Sequence, residues 1–246
     1  MSCESNGSWA PIEDSAFLVQ DGRFTTVGRR GELQAPEGVV RVDLKGTTVM
    51  PGIIEAHAHL GYWKDLTPSA THFTRAQLLQ DLQRLAYHGV VAVLSMGADR
   101  REIAWPLRDE LRAHPRPDAA MYLAAGGLAM PEGGPFTPLD EAVRAVTNEE
   151  DARREIQELV ARKADFVKVW QDSRRELIPR PVIDFLIAEA HRNHLRVAVH
   201  SHHWPTSSIC CDLASTRSLI LRGARQKSNR WTMSSSRCSR RIRMCR

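Results

Sequence analysis

The chain has 246 residues, 34 of them Lys or Arg and 29 Asp or Glu, for a formal charge of +5. That average hides a split: from Trp204 onward ten basic residues face one acid, Asp212, so this segment carries +9 and leaves −4 for residues 1–203. With 42 % hydrophobic residues the chain can bury a core, which excludes disordered and disulfide-stapled classes, and no apolar run nears the roughly 18 residues of a membrane span.

Met1 to Ala10 is polar, with an acid at Glu4, and has no apolar signal-peptide core, so a cytoplasmic setting is expected. Residues 1–50 read as a small β element. Ala16 to Gln20 is apolar, Asp21-Gly22 is a hairpin-type turn, Phe24 to Val27 resumes, and Val39 to Leu44 reads as a further strand. From Val49 onward short apolar runs alternate with helical stretches. Ile53 to His59 precedes a helix from about Arg75 to His88, and Val90 to Met96 precedes one from about Arg101 to Ala113. Ala119 to Ala125 leads through the loop Gly126 to Gly134 to a helix from about Glu149 to Lys163. Phe166 to Trp170, the helix Pro181 to Asn193, and Val197 to His200 complete the series. Thr74 and Asn148 are suited to N-capping, and Glu149, Glu150 and Asp151 suit a helix N-terminus. The alternation predicts right-handed βαβ units on a parallel sheet, an α/β fold. Five units are visible over residues 51–203, where a closed (β/α)₈ barrel needs eight in about 250 residues.

The densest cluster of chemistry is PGIIEAHAHLG, Pro51 to Gly61. Residues two apart in a strand share a face, so His57 and His59 point the same way at its C-terminal end, where barrel sites lie. Two such imidazoles make half of a site for a divalent transition metal, or are incidental strand-end histidines. In ADFVKVW, Lys168 faces away from Val167 and Val169 toward the barrel interior. A buried lysine loses its charge readily and can then ligate, act as a base or take up CO₂; the alternative is a lysine that snorkels to water. In LRVAVHSHH, Ala198, His200 and His202 share a face, and His200 follows Lys168 by 32 residues, which predicts adjacent strands at similar depth. His72, His88, His114, His191 and His194 fall in loops or on helices and read as non-ligands, and Trp63, Trp105 and Trp170 read as packing. The Gly126 to Gly134 loop could cover the site. No phosphate-cradling loop and no serine nucleophile elbow occurs.

Together these segments resemble the amidohydrolase superfamily, metal-dependent hydrolases on a (β/α)₈ TIM barrel with a small flanking β-sandwich. The likeness leans toward the imidazolonepropionase and Xaa-Pro dipeptidase members and runs from about Ala10 to His203. VMPGIIEAHAHLG resembles the first-strand signature, with Glu55 where the family carries Asp; ADFVKVW resembles the fourth-strand lysine motif and VAVHSHH the fifth-strand histidine motif. The resemblance implies that His57 and His59 bind one metal ion, Lys168 as a carbamate bridges two, and His200 binds the second. Nitrogen-rich ligation points to Zn²⁺. It further implies hydrolysis of a carbon–nitrogen bond in a cyclic amide, dipeptide or N-acyl amino acid by a metal-activated water. No residue can be assigned to the family's proton-accepting carboxylate or to its sixth-strand histidine. Impaired turnover is therefore expected, and a non-catalytic product with a damaged metal site is the alternative.

Residues 204–246 do not continue the barrel rhythm, being rich in Ser, Arg and Cys. One reading is a basic arm for nucleic acid or anionic surfaces, an occupant that the Cys and Trp content disfavours. The other is a frameshift near His203. Trp204-Pro205-Thr206 requires TGG CCN ACN, which one base earlier reads NTG GCC NAC and permits Leu-Ala-Asp. The codons of Ser218 to Ile220 permit Ala-His in that frame. The coding DNA, read one base earlier beyond His203, is expected to spell recognisable barrel strands; a frame without them removes this reading.

Overall fold

A computed structural model describes residues 2–3, 9–135, 138–172, 174–201 and 219–222, of which 2–3, 9, 140 and 219–222 are described in backbone alone. The chain divides into two units, Met1–Pro51 and Gly52–Arg246.

In the first unit β1 (Ser2–Cys3) pairs antiparallel with β2 (Trp9–Ala10), and β3 (Ser15–Gln20) with β4 (Arg23–Arg29). The hairpin turns at Asp21 and Gly22, both at positive φ, as the Asp-Gly pair predicts. Among the described residues these are two-stranded pairs and not the two packed sheets of a sandwich. The expected strand Val39 to Leu44 does not form. Its apolar residues meet no ladder partner among the described residues, and Val40 stays 91 % exposed; alternation alone does not make a strand without a neighbour to pair with.

The second unit runs β5 (Ile53–Ala58), β6 (Trp63–Lys64), β7 (Thr67–Pro68), α1 (Arg75–Tyr87), β8 (Val90–Ser95), α2 (Arg101–Ala113), β9 (Ala120–Leu123), β10 (Leu128–Ala129) and β11 (Arg144–Ala145). It continues with α3 (Glu149–Ala161), β12 (Val167–Gln171), α4 (Arg180–Arg192), β13 (Val197–Ser201) and β14 (Leu219–Arg222). Asn148 caps α3 by accepting from the Asp151 amide, and Thr74 caps α1 through Gln77. The α3 helix buries Ala152, Glu155, Ile156 and Leu159 and the α4 helix Ile183, Leu186, Ile187 and Ala190, each an i, i+3, i+4, i+7 stripe, while α1 buries Leu78 and Leu82 and α2 Ala104, Leu107 and Arg108. These stripes pack on the outward side chains Val93, Val167, Val169, Val197 and Val199, while Met96, Phe166 and Ala198 fill the opposite, inward face. The α2 and α3 helices are also joined end to side. Buried Arg108 of α2, under the face of Trp105, donates to the Arg162 and Lys163 carbonyls that α3 leaves unpaired at its C-terminus.

Apart from β6 and β7, which pair antiparallel with each other, these strands form two parallel sheets, β5-β8-β9 and β11-β10-β12-β13-β14, and not one closed barrel among the described residues. At the seam the strand ladder is replaced by Asp165: its amide donates to the Leu123 carbonyl at 3.1 Å, and its carboxylate accepts from the Leu123 amide at 2.8 Å. The segment beyond Trp204, expected to lack strands, supplies one, because β14 pairs in parallel with β13 from Ala198↔Leu219 to Ser201↔Arg222. The remainder of that segment, with His202 and His203, lies outside the described residues.

Asp99, in the turn between β8 and α2, is fully buried. Burial raises its pKa to about 7, against the opposing pull of the Ser95 hydroxyl, 2.5 Å from Oδ1, and of the Gly97 and Asp99 amides. A folded-state pKa above the unfolded value means that the native state keeps a proton which the unfolded chain has lost between pH 4 and 7. Stability therefore falls as pH rises through that window. Asp99→Asn is expected to flatten this slope, which is worth about 2–4 kcal/mol, in urea denaturation at pH 4 and pH 7.

Candidate metal centre

His57 and His59 sit where β5 ends, with ring centroids 5.1 Å apart. Two contacts fix this strand end: Glu55 accepts from the His57 amide at 2.9 Å, and Asp81 of α1 accepts from the Gly61 amide at 2.8 Å. Glu55 thus shapes the backbone under the first histidine. Lys168, in the middle of β12, is 1 % exposed, so it does not snorkel. Its Nζ finds no hydrogen-bond partner among the described residues and lies 4.5 Å from the centroid of the Trp170 ring. His200 on β13 is opposite Trp170, while Ala198 is opposite Lys168. The histidine is therefore two residues nearer the strand ends than the equal depth expected for it.

Trp170 is the packing element of the site and not of the outer core. It stacks on His59 at 5.7 Å and meets His200 at 5.0 Å. Two glycines make room for this arrangement. A Cβ on Gly97, at φ +80°, would come within 2.6 Å of the Lys168 Cγ, and one on Gly127 within 2.3 Å of the Trp170 Nε1. The Gly126 to Gly134 loop contains β10 and reaches the site through Gly127 and Gly134.

Burial followed by the Lys168 charge lowers the His57 pKa to about 4. Burial, then His57, Lys168 and His200, lowers that of His59 to about 3. Burial alone lowers that of Lys168 to about 7. The two imidazoles are consequently neutral at neutral pH, and the amine gives up its proton far more readily than an exposed lysine, as binding of a metal ion or CO₂ requires. The unpartnered His59 Nδ1 and Lys168 Nζ, both buried, fit that chemistry. Among the described residues no group of three or more His, Cys, Asp or Glu side chains is placed to hold a metal ion. His72, His88, His114, His191 and His194 lie in loops or at helix ends.

A cavity of about 330 Å³ opens over these residues. His59, Trp170 and His200 form its floor; Tyr62, Trp63, Pro135 and Leu139 are among its walls, with Asp172 and Arg174 beside them. Trp63 and Trp170 were expected to be packing residues only, and Asp172 and Arg174 were not singled out. The period-2 series Lys168, Trp170, Asp172 is the signal that could have found the aspartate.

No family model matches the chain. Over 55 residues it is 38 % identical to imidazolonepropionases of two Pseudomonas putida strains, a match to 22 % of this chain and 14 % of theirs. Among solved structures, a Xaa-Pro dipeptidase with methionine in its active site superposes with a TM-score of 0.67 at 16 % identity, over 81 % of this chain and 54 % of that one. Phenylurea hydrolase B gives 0.66 at 19 %, over 81 % and 53 %, and the A. niger ochratoxinase 0.63 at 16 %, over 84 % and 55 %. The fold is that of the amidohydrolases. The chain spans about half the length of these structures.

An unpartnered lysine amine in the core costs stability that an apolar side chain of similar length would not. Lys168→Met in chelator-treated protein is expected to raise the unfolding free energy by about 1–3 kcal/mol, read from urea midpoints. A loss of stability would show that the amine has a structural partner.

Proposed function

We propose that the chain is a metal-dependent amidohydrolase acting on a carbon–nitrogen bond of a small amide, dipeptide-like or N-acyl amino acid substrate. The observation that carries this reading is the buried, unpartnered Lys168 amine between the His57/His59 pair and His200, on the strands where the amidohydrolase resemblance puts its ligands. His57 and His59 would hold one ion, His200 a second, and Lys168, after taking up CO₂, both. When bound, zinc or a similar divalent ion would polarise an amide carbonyl and acidify a water. The protein's own part is to keep the imidazoles neutral, to close the floor with Trp170 and to exclude bulk water with the aromatic and proline walls. We place this activity in the cytoplasm; among the described residues no helix is long and apolar enough to cross a membrane.

Turnover by this chain is expected to be low, because no described residue is assigned as the proton-accepting carboxylate. A non-catalytic protein with a residual metal site is the second reading. It is favoured by the lack, among the described residues, of any group of three His, Cys, Asp or Glu side chains placed to hold a metal ion. Metal analysis and amidase assay of the purified full chain separate the two. About two zinc ions per chain, with slow turnover abolished by Lys168→Ala, supports the enzyme. Metal-poor, inactive protein supports the second reading.

A further inference from the structure

The candidate ligands stand on different sheets. His57 on β5 and His59 just beyond its end belong to β5-β8-β9, whereas Lys168 on β12 and His200 on β13 belong to the other sheet, and among the described residues no strand ladder joins the two. A side chain makes the connection. The Trp170 ring stacks on His59 at 5.7 Å with the planes 28° apart, meets His200 at 5.0 Å, and has the Lys168 Nζ over its face at 4.5 Å from the centroid. One rigid ring is thus the common neighbour of nitrogens from three strands.

The ring is itself held from several sides. It is 3 % exposed, and a Cβ on Gly127 would come within 2.3 Å of its Nε1, so that glycine closes directly on the indole edge. Gly127 is fixed in turn, because its amide donates to the Gly97 carbonyl at 2.6 Å. The next residue of β12 anchors the strand: the buried Gln171 side chain clamps Ile178, donating to its carbonyl at 3.1 Å and accepting from its amide at 2.9 Å. The indole Nε1 finds no hydrogen-bond partner among the described residues. What the ring contributes is therefore shape and an aromatic face, and not its N–H.

We propose that Trp170 is the positioning residue of the metal centre, a spacer whose ring sets His59 against Lys168 and His200 across the two sheets. This deepens the amidohydrolase reading and rests on it for the presence of a metal ion. A flat ring without an N–H should serve as well. A flexible aliphatic side chain should leave the imidazoles to be ordered when the ion binds, at a cost in affinity.

Titration of the chelator-treated full chain with Co²⁺ in bicarbonate buffer, followed by the visible absorption of the bound ion, reads affinity and coordination without turnover. Trp170→Leu is expected to weaken cobalt binding about 10–100-fold and to alter the spectrum, whereas Trp170→Phe should bind as the unaltered chain does. Trp105→Leu is the control for lost packing. Trp105 is 4 % exposed in the outer core, also with an unpartnered Nε1, and its loss should lower the urea midpoint but leave cobalt binding in place. If Trp170→Leu fails to fold, Gly127→Ala, which pushes the ring from its seat, should weaken cobalt binding instead. Unchanged affinity and spectrum in Trp170→Leu, or in Gly127→Ala where that variant replaces it, overturn the proposal. So does a Phe variant as weak as the Leu one, which would assign the role to the N–H, or an equal loss in Trp105→Leu. Where the unaltered chain binds cobalt, these results remove the role of Trp170 alone; an unaltered chain that binds none removes the metal reading and this role with it.

Discussion

The second unit is organised around an energetic cost. An amine that is 1 % exposed and has no hydrogen-bond partner among the described residues occupies the middle of β12, where valine or leucine would pack without penalty. The surroundings accommodate Lys168 more than they stabilise it. Gly97 and Gly127 give up their side chains so that the lysine stem and the Trp170 ring can fit, and the Lys168 Nζ lies over that ring, 4.5 Å from its centroid. The same low-dielectric surroundings suppress protonation of His57 and His59. Sites that spend stability in this way are where local rules of sequence and structure are expected to break.

Much of this was legible in the residues. The period-2 face of β5 and β12 oriented His57, His59 and Lys168 correctly, and the caps Thr74 and Asn148 fell where polar side chains meet orphan amides. The helix boundaries followed from the apolar stripes to within one or two residues. Other parts depend on partners that a linear reading cannot see. The two-residue strands β10 and β11 are too short for any periodicity, and Val39 to Leu44 carries the pattern of a strand without a neighbour. Trp170 resembles a core residue in composition, and only the pairing of β12 with β13 brings it between two imidazoles. The depth of His200 relative to Lys168 is likewise a matter of register, which spacing along the chain does not determine.

Long-range order in this unit is carried by single polar side chains at positions where ladders stop. Asp165 bridges the two parallel arcs with both its amide and its carboxylate, and Arg108 closes the end of a neighbouring helix from the side. Both substitute for backbone partners that the geometry does not provide, as the rule that buried polar groups must be satisfied requires. The charge of the chain divides along the same lines. The mildly acidic residues 1–203 include these internal pairings, and the net positive charge belongs to residues 204–246.

The clamp that Gln171 places on Ile178 separates two kinds of change. One side-chain amide ties the residue that ends β12 to the backbone of Ile178, two residues before α4, so strand and helix are linked across the intervening segment by a bond that does not involve its side chains. Variation in what the cavity accepts can then accumulate in the loop without passing through the strand that carries Lys168. A lineage built on this scaffold could diversify its ligands while its most costly residue stays in place.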